Sequence, residues 1–154
     1  MNGDVNMRRS QVILRLPVDN LPATLTLHDG ERSEVLLFIP PGEAITALVS
    51  PGDPFVPMIK SARFCLVARD AIAAIGVAAE PEVADDTALP VERQHAQLRL
   101  RSGTLLEGEL RWTAPEGERR TADYVNDGQA FIVLHAGATS YYVRKAAIAT
   151  VEEL

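Results

Sequence analysis

The sequence predicts an all-β protein built from two tandem copies of one small five-stranded β-barrel. Two observations lead to this fold class: the second half of the chain repeats the pattern of the first, and short apolar runs alternate with turn residues. A third is an acidic, proline-containing segment between the copies, which is typical of a linker. We predict a first barrel repeat with an extra N-terminal strand over residues 1–78, a linker over 79–94 and a second repeat over 95–154.

The repeat is found by shifting the chain by 76 positions. The identical pairs are then Val49 and Val125, Gly52 and Gly128, Phe55 and Phe131, Ala62 and Ala138, Val67 and Val143, Ala71 and Ala147, Ile72 and Ile148, and Ala73 and Ala149. Upstream, residues 24–30 match residues 97–103 at a shift of 73, so an intervening loop differs in length, as loops tolerate. Because the order of all matched segments is kept, we interpret the similarity as an internal duplication.

Each copy is expected to contain five short strands. Asp29-Gly30 and Ser102-Gly103 mark a tight hairpin turn in the two copies. Further strands are expected over 55–58, 64–67 and 72–77, and over 105–112, 131–134, 141–143 and 148–151, with a possible extra strand over 11–16. Gly108 indicates a bulge or bend within its strand. Segments 45–49 and 121–126 fit either a short strand or one helical turn.

Each copy is near the lower size limit for independent folding, because its buried area barely offsets the entropy of the chain. We therefore expect the two copies to pack on each other or on other chains. Phe55 and Phe131 are expected in equivalent core positions, where truncation of either to Ala would cost about 3 to 5 kcal/mol.

The composition argues against several classes of protein. A net charge of −6 is unfavourable for a surface that attracts phosphate throughout. Cys65 is the only cysteine, which excludes an intrachain disulfide and a cysteine-based zinc site. No window approaches the roughly 20 apolar residues of a membrane span, and the apolar run 12–14 is too short for a signal peptide. We expect a cytoplasmic protein with no membrane partner.

Candidate catalytic residues are few. His28, His95 and His135 show no spacing typical of a metal site or a catalytic triad, and Cys65 lies within an apolar strand as a small core residue. No glycine-rich loop for phosphate is present. The sequence therefore predicts a protein that is not an enzyme and holds no cofactor and no metal.

Four segments of the second copy resemble the Sm-like superfamily, which includes the bacterial Sm-like RNA chaperone. They are LRLRSG (98–103), EGEL (107–110), FIVLH (131–135) and YVRKAAIATV (142–151). The last is similar to the closing segment of that family, with a strand, a basic residue, a tight turn and an Ile-containing strand. The resemblance covers both copies, with SH3-like barrels as the alternative, and it implies a bent five-stranded barrel, ring assembly through strand edges and often single-stranded RNA binding.

The candidate nucleic-acid-binding residues are Tyr124, Asn126, Arg144 and Lys145, since cations bind phosphates and tyrosines can stack on bases. The tyrosines also fit simple sheet packing. The leading hypothesis is a non-enzymatic binding or assembly protein that forms a homo-oligomer through strand edges. The alternatives are a single-stranded RNA-binding Sm-like protein and a regulatory domain that binds a protein or peptide partner by strand addition.

Overall fold

A computed structural model describes residues 19–39, 52–79, 90–114 and 120–154. The strands are β1 (Asp19–Leu27), β2 (Arg32–Ile39), β3 (Phe55–Lys60), β4 (Arg63–Ala68), β5 (Ile72–Ala78), β6 (Val91–Leu100), β7 (Leu105–Thr113), β8 (Phe131–Ala136), β9 (Thr139–Arg144) and β10 (Ile148–Glu153). The helix α1 (Thr121–Val125) and the 3-10 helices Arg69–Ala71 and Lys145–Ala147 complete the described elements. The all-β prediction is confirmed, and the ambiguous segment 121–126 is largely helical. The expected strand 11–16 and the segment 45–49 lie outside the described residues.

All ten strands belong to one antiparallel sheet in the order β10-β6-β7-β8-β9-β5-β1-β2-β3-β4. The first half (β1 to β5) has the order β5-β1-β2-β3-β4, and the second half (β6 to β10) repeats it as β10-β6-β7-β8-β9. The halves join where β5 pairs with β9, a contact we call the central junction. Within the described residues, β4 and β10 each have a single strand neighbour, so they are the two outer edges of the sheet.

The two halves also share local details. Both hairpin turns place a glycine at positive φ, 92° at Gly30 and 93° at Gly103, a conformation that other residues adopt at a cost. In each half the residue after the first strand donates its backbone N–H to the carbonyl that ends the 3-10 helix. The pairs are His28 with Ala71 (2.9 Å) and Arg101 with Ala147 (2.8 Å). The strand β6 begins at Val91, whereas we expected the second repeat to begin at residue 95.

Gly108, where we expected a bulge or bend, lies at a point where the backbone of β8 comes close to β7. The pairing of β6 with β7 passes through Ala96 and Gly108 in continuous register. A β-carbon at Gly108 would lie 2.5 Å from the carbonyl oxygen of His135 on β8. Glycine is therefore required there because the backbone of β8 comes too near for a side chain.

Each half surrounds its own hydrophobic cluster. The first cluster includes Leu25, Leu37, Val56, Met58 and Ile75, and the second includes Leu98, Leu100, Leu110, Ile132 and Leu134. Alternate residues of β2 and of β7 are buried, as expected for strands with one face on a core. The duplicated pattern thus produces two cores within one sheet.

Phe55 and Phe131 begin β3 and β8, yet their environments differ. Phe131 is half-buried and packs against the first cluster. Phe55 keeps 55% of its surface exposed, so the prediction that it lies in a core position is wrong. The physical reason is its location: β8 lies next to a strand that joins the other half, whereas β3 lies next to the outer edge β4.

Candidate functional site

The central junction is the strand pairing through which the two halves meet. The five paired positions are Ala74 with Val143, Ile75 with Tyr142, Gly76 with Tyr141, Val77 with Ser140 and Ala78 with Thr139. It joins the last strand of the first half to the fourth strand of the second half. The two halves are therefore connected by backbone hydrogen bonds as well as by the chain that links them.

Arg144 holds the end of the central junction. Its Nε donates to the carbonyl oxygen of Ile72 and its Nη2 to that of Arg69, both at 3.0 Å. The guanidinium also lies 4.8 Å from the ring centre of Phe131, a cation–π distance. A side chain of the second half thus binds backbone carbonyls at the turn of the first half.

Tyr141 lies across a strand position that has no side chain. A β-carbon at Gly76 would lie 2.6 Å from Cε1 of Tyr141, so any larger residue would force the ring to move. Arg32 Nη2 donates to the Tyr141 hydroxyl at 2.8 Å, and the guanidinium lies 5.8 Å from the ring centre. The tyrosine ring is therefore held on the first half of the molecule.

The halves exchange apolar residues across the central junction. Ala73 and Ala74 of β5 are buried in the second cluster, although they belong to the first half. In return, Phe131 and Tyr142 of the second half pack against the first cluster. Each core is therefore completed by the other half, which explains why residues 72–77 of β5 are buried on both faces of the sheet.

The outer edge β10 is the counterpart of β5 but is mostly exposed. Ile148 and Val151 are half-buried, and the remaining residues of the strand are exposed. Glu152 and Glu153 stand where β5 has Gly76 and Val77. Charged side chains on an edge strand oppose unselective pairing with other strands.

The outer edge β4 carries no such protection beyond Arg63 at its beginning. Phe64 and Leu66 are 55% and 57% exposed, and Phe55 on the neighbouring β3 is equally exposed. Under the shift of 76, Phe55 and Leu66 are the counterparts of Phe131 and Tyr142, the residues that pack against the other half. An apolar patch of this kind on a strand edge is typical of a contact surface.

The four candidate nucleic-acid-binding residues divide between two places. Arg144 lies in the central junction, as described above. Lys145 Nζ contacts both the carboxylate (2.6 Å) and the carbonyl oxygen (3.0 Å) of Asp127 in the loop after α1. Asn126 directly follows the last residue of α1 and is exposed. Burial tends to raise the pKa of Asp127, but the Lys145 ammonium and the N–H of Gln129 hold that pKa below its usual range.

Tyr124 of α1 forms an aromatic pair with Trp112 of β7. Its ring stacks on that of Trp112, with centres 5.2 Å apart and an angle of 4° between the planes. Its hydroxyl accepts the N–H of Val133 (3.3 Å), and burial raises its pKa. A cavity of about 260 Å³ opens beside the pair and is lined by Trp112, Thr113, Asp123, Tyr124 and Asp127. The carboxylate of Asp123 is paired with Arg120 (2.9 Å).

The histidines lie in ordinary polar contacts where the structure records one. His95 Nε2 lies 3.1 Å from Glu107, and His135 Nδ1 lies 3.4 Å from the hydroxyl of Ser140. The described residues contain no group of three or more His, Cys, Asp or Glu side chains placed to hold a metal ion. In the same ranges, no helix combines the length and apolar character that crossing a membrane requires.

Comparison of the chain with protein-family models, with curated proteins and with solved structures gives no match. The molecule's own geometry therefore carries the functional argument. The sequence pattern alone does not mark Gly76 or Arg32 as contact residues. One sequence feature could have indicated that β5 is buried between two strands: β5 has no charged residue, whereas its counterpart β10 has two glutamates.

Proposed function

We propose that this chain is a non-enzymatic assembly protein that forms a head-to-tail homo-oligomer by pairing β4 of one molecule with β10 of the next. One observation carries the proposal: inside the chain, the strand equivalent to β4 already pairs with the strand equivalent to β10 in the central junction. A second copy would extend the same contact, which we call the outer junction. A heterologous contact of this type closes into a ring or continues as a filament.

The register of the outer junction follows from the central one. Shifting each pair by 76 places Val67 opposite Thr150, Leu66 opposite Val151, Cys65 opposite Glu152, Phe64 opposite Glu153 and Arg63 opposite Leu154. Leu66 then faces an apolar residue. Arg63 becomes a diagonal neighbour of Glu152, at the about 7 to 8 Å over which long side chains interact. The register therefore offers one apolar contact, between Leu66 and Val151, and one pair of opposite charges, Arg63 and Glu152.

Exposed apolar residues support the same partner. Besides Phe55, Phe64 and Leu66 at the β4 edge, the large exposed hydrophobic residues of the described chain include Leu105 and Leu154, at 55% and 56%. Leu105 is the counterpart of Arg32 under the shift of 73, and Leu154 is the counterpart of Ala78 under the shift of 76. Arg32 and Ala78 both make contacts in the central junction. A second copy would thus cover exposed apolar residues on and near both outer edges.

The proposal retains the interpretation of each half as a small Sm-like barrel unit. The support is that one five-strand order occurs twice and that each half has its own cluster. Strand-edge assembly is also what the resemblance implies. We further propose that the assembly forms in the cytoplasm, where the single Cys65 stays a free thiol.

Single-stranded RNA binding, the second expectation, has weaker support. Lys145 is paired with Asp127, and the guanidinium of Arg144 binds two backbone carbonyls. Tyr124 stacks on Trp112 and offers at most one ring face to a base. Fluorescence anisotropy with uridine-rich and adenine-rich strands at low ionic strength tests it directly, because phosphate contacts are salt-sensitive.

Light scattering after size exclusion tests the proposed assembly. We expect a mass that is a multiple of 16.7 kDa at micromolar concentration. The variant Leu66→Glu should weaken self-association by at least about tenfold, because it places a charge opposite Val151 and diagonally across from the acidic Glu153. Val91→Glu is the matched control, since Val91 is 46% exposed on β6 but lies outside the outer junction.

Three results would decide the matter. A wild-type mass of one chain at all concentrations would refute the assembly. Equal weakening by Leu66→Glu and Val91→Glu would refute the use of the β4 edge. A monomer that instead retains a protein or peptide through β4 would favour strand addition to a different partner.

A further inference from the structure

We infer that two residue pairs, Gly76 with Tyr141 in the central junction and Glu152 with Cys65 in the outer junction, make each strand edge specific for its own partner. These pairs occupy the same position of the two junctions under the shift of 76. Because one pair belongs to the outer junction, the specificity rests on the proposed assembly. What distinguishes the pairs is the size of the facing side chains.

In the central junction the first-half strand contributes the small residue. The ring of Tyr141 occupies the space in which a β-carbon of residue 76 would lie, at 2.6 Å from Cε1 and 2.8 Å from Cδ1. The hydrogen bond and the cation–π contact from Arg32 hold the ring in that place. The central junction therefore accepts only glycine opposite Tyr141 without a shift of the ring.

In the outer junction the sizes are reversed. Cys65, half-buried on β4, stands at the position of Tyr141, and Glu152, exposed on β10, stands at the position of Gly76. The small thiol leaves room for the glutamate, whose carboxylate can then reach Arg63 of the same β4 strand. Leu105 replaces Arg32, so the group that would hold a tyrosine ring is absent from this side.

Mixed pairings are disfavoured by this exchange. Pairing of β10 with β9 would place Glu152 against Tyr141, in the space that the ring fills. Pairing of β5 with β4 would place Gly76 against Cys65, which leaves a gap and gives Arg63 no acid. The two junctions, which arose from one duplicated strand pair, are thus kept from exchanging strands in two ways. Each matched pair fits well, and each mixed pair makes an unfavourable contact.

The first test transfers the central pair to the outer junction. In the full-length protein, Cys65→Tyr should raise the concentration for half-assembly by about tenfold or more, because the ring meets Glu152. Adding Glu152→Gly to that variant should restore assembly to within about threefold of the wild-type concentration. Cys65→Tyr that assembles like the wild type, or a double variant no better than the single one, would overturn the inference.

The second test is independent of any effect of the bulky tyrosine on folding. Cys65 is the only cysteine of the chain, and residues directly opposite in an antiparallel pair lie at the about 4.5 to 5.5 Å Cα separation that suits a disulfide. In Glu152→Cys, oxidised glutathione should link the native Cys65 of one molecule to residue 152 of the next, giving a ladder of covalent multimers on non-reducing gels. Glu153→Cys should not, because its side chain points to the other face of the sheet.

The outcomes separate the inference from the assembly itself. Equal cross-linking by Glu152→Cys and Glu153→Cys would overturn the placement of Cys65 opposite Glu152 even if the wild type assembles. A wild type that is monomeric at every concentration would remove the proposed assembly, and the outer pair with it. Cross-linking by Glu152→Cys alone, together with rescue in the double variant, is the expected result.

Discussion

Identical residues at matched positions of the two halves differ mainly in the strands that lie next to them. Phe131 and Phe55 start equivalent strands, and both were expected to be core residues. Phe131 packs against the first cluster and lies under the Arg144 guanidinium, whereas Phe55 lies beside an outer edge. The same side chain thus contributes to the stability of the fold at position 131, whereas at position 55 it is largely exposed to solvent.

This difference predicts unequal costs of truncation. Phe131→Ala should lower the free energy of unfolding by about 2 to 3 kcal/mol, somewhat less than for a fully buried ring. Phe55→Ala should change it by no more than about 0.5 kcal/mol at concentrations where the chain is monomeric. Urea denaturation of both variants at high dilution measures the two values. Equal losses would contradict the assigned environments.

At the scale of elements, the hairpins were predictable and the central junction was not. Gly30 and Gly103 mark turns that depend only on neighbouring residues, so the hairpins and the strand bounds follow from local patterns. The pairing of β5 with β9 joins strands that are remote in sequence, and an apolar strand does not specify which other strand it meets. The basic pair illustrates the same limit: the sequence placed Arg144 next to Lys145, but not its contact with the carbonyl of Ile72.

The pairing of β6 with β7 gives a pH-dependent prediction. Hydrogen bonds from Arg111 and then from Arg93 outweigh burial and hold the pKa of Glu109 below its ordinary value of 4.5. A lowered carboxylate pKa stabilises the fold above the unfolded pKa, and this stability is lost as the pH falls through the folded pKa. We expect Glu109→Gln to be less stable than the wild type by about 0.5 to 1 kcal/mol at pH 7, and we expect this difference to shrink as the pH falls below 4.5.

Thermal unfolding of wild type and Glu109→Gln between pH 3 and pH 8 measures this dependence. Glu107→Gln is a suitable control on the same strand, because Glu107 contacts His95 rather than an arginine. A difference between wild type and Glu109→Gln that persists unchanged at pH 3 would show that the ionised carboxylate is not its source.

At the scale of the whole molecule, two cores share one sheet and β5 serves both. Its residues 72–77 are buried, its neighbours are β1 and β9, and Ala73 and Ala74 belong to the core of the other half. The two halves are therefore expected to unfold together rather than one after the other. The outer strands β4 and β10, each with one neighbour in the described chain, should be the least protected parts of the sheet.

Amide hydrogen exchange tests this order of protection. The amides of β5 should exchange most slowly at all protein concentrations. The amides of β4 and β10 should exchange fast in dilute solution and slow down as the concentration rises, because the proposed outer junction would cover them. In Leu66→Glu this concentration dependence should disappear, while the slow exchange of β5 remains. Protection of β4 and β10 that is independent of concentration would contradict assembly through these edges.

The uncharged composition of β5 has a consequence for the nascent polypeptide. The ribosome completes the first half before β9 has been synthesised. During that interval the apolar strand β5 lacks its pairing partner and is prone to aggregate with neighbouring chains. Covalent linkage shortens that interval, because the later half arrives tethered, at an effective local concentration in the millimolar range rather than by chance encounter. The presence of both halves in one chain therefore protects the apolar strand that would be most prone to aggregate without its partner.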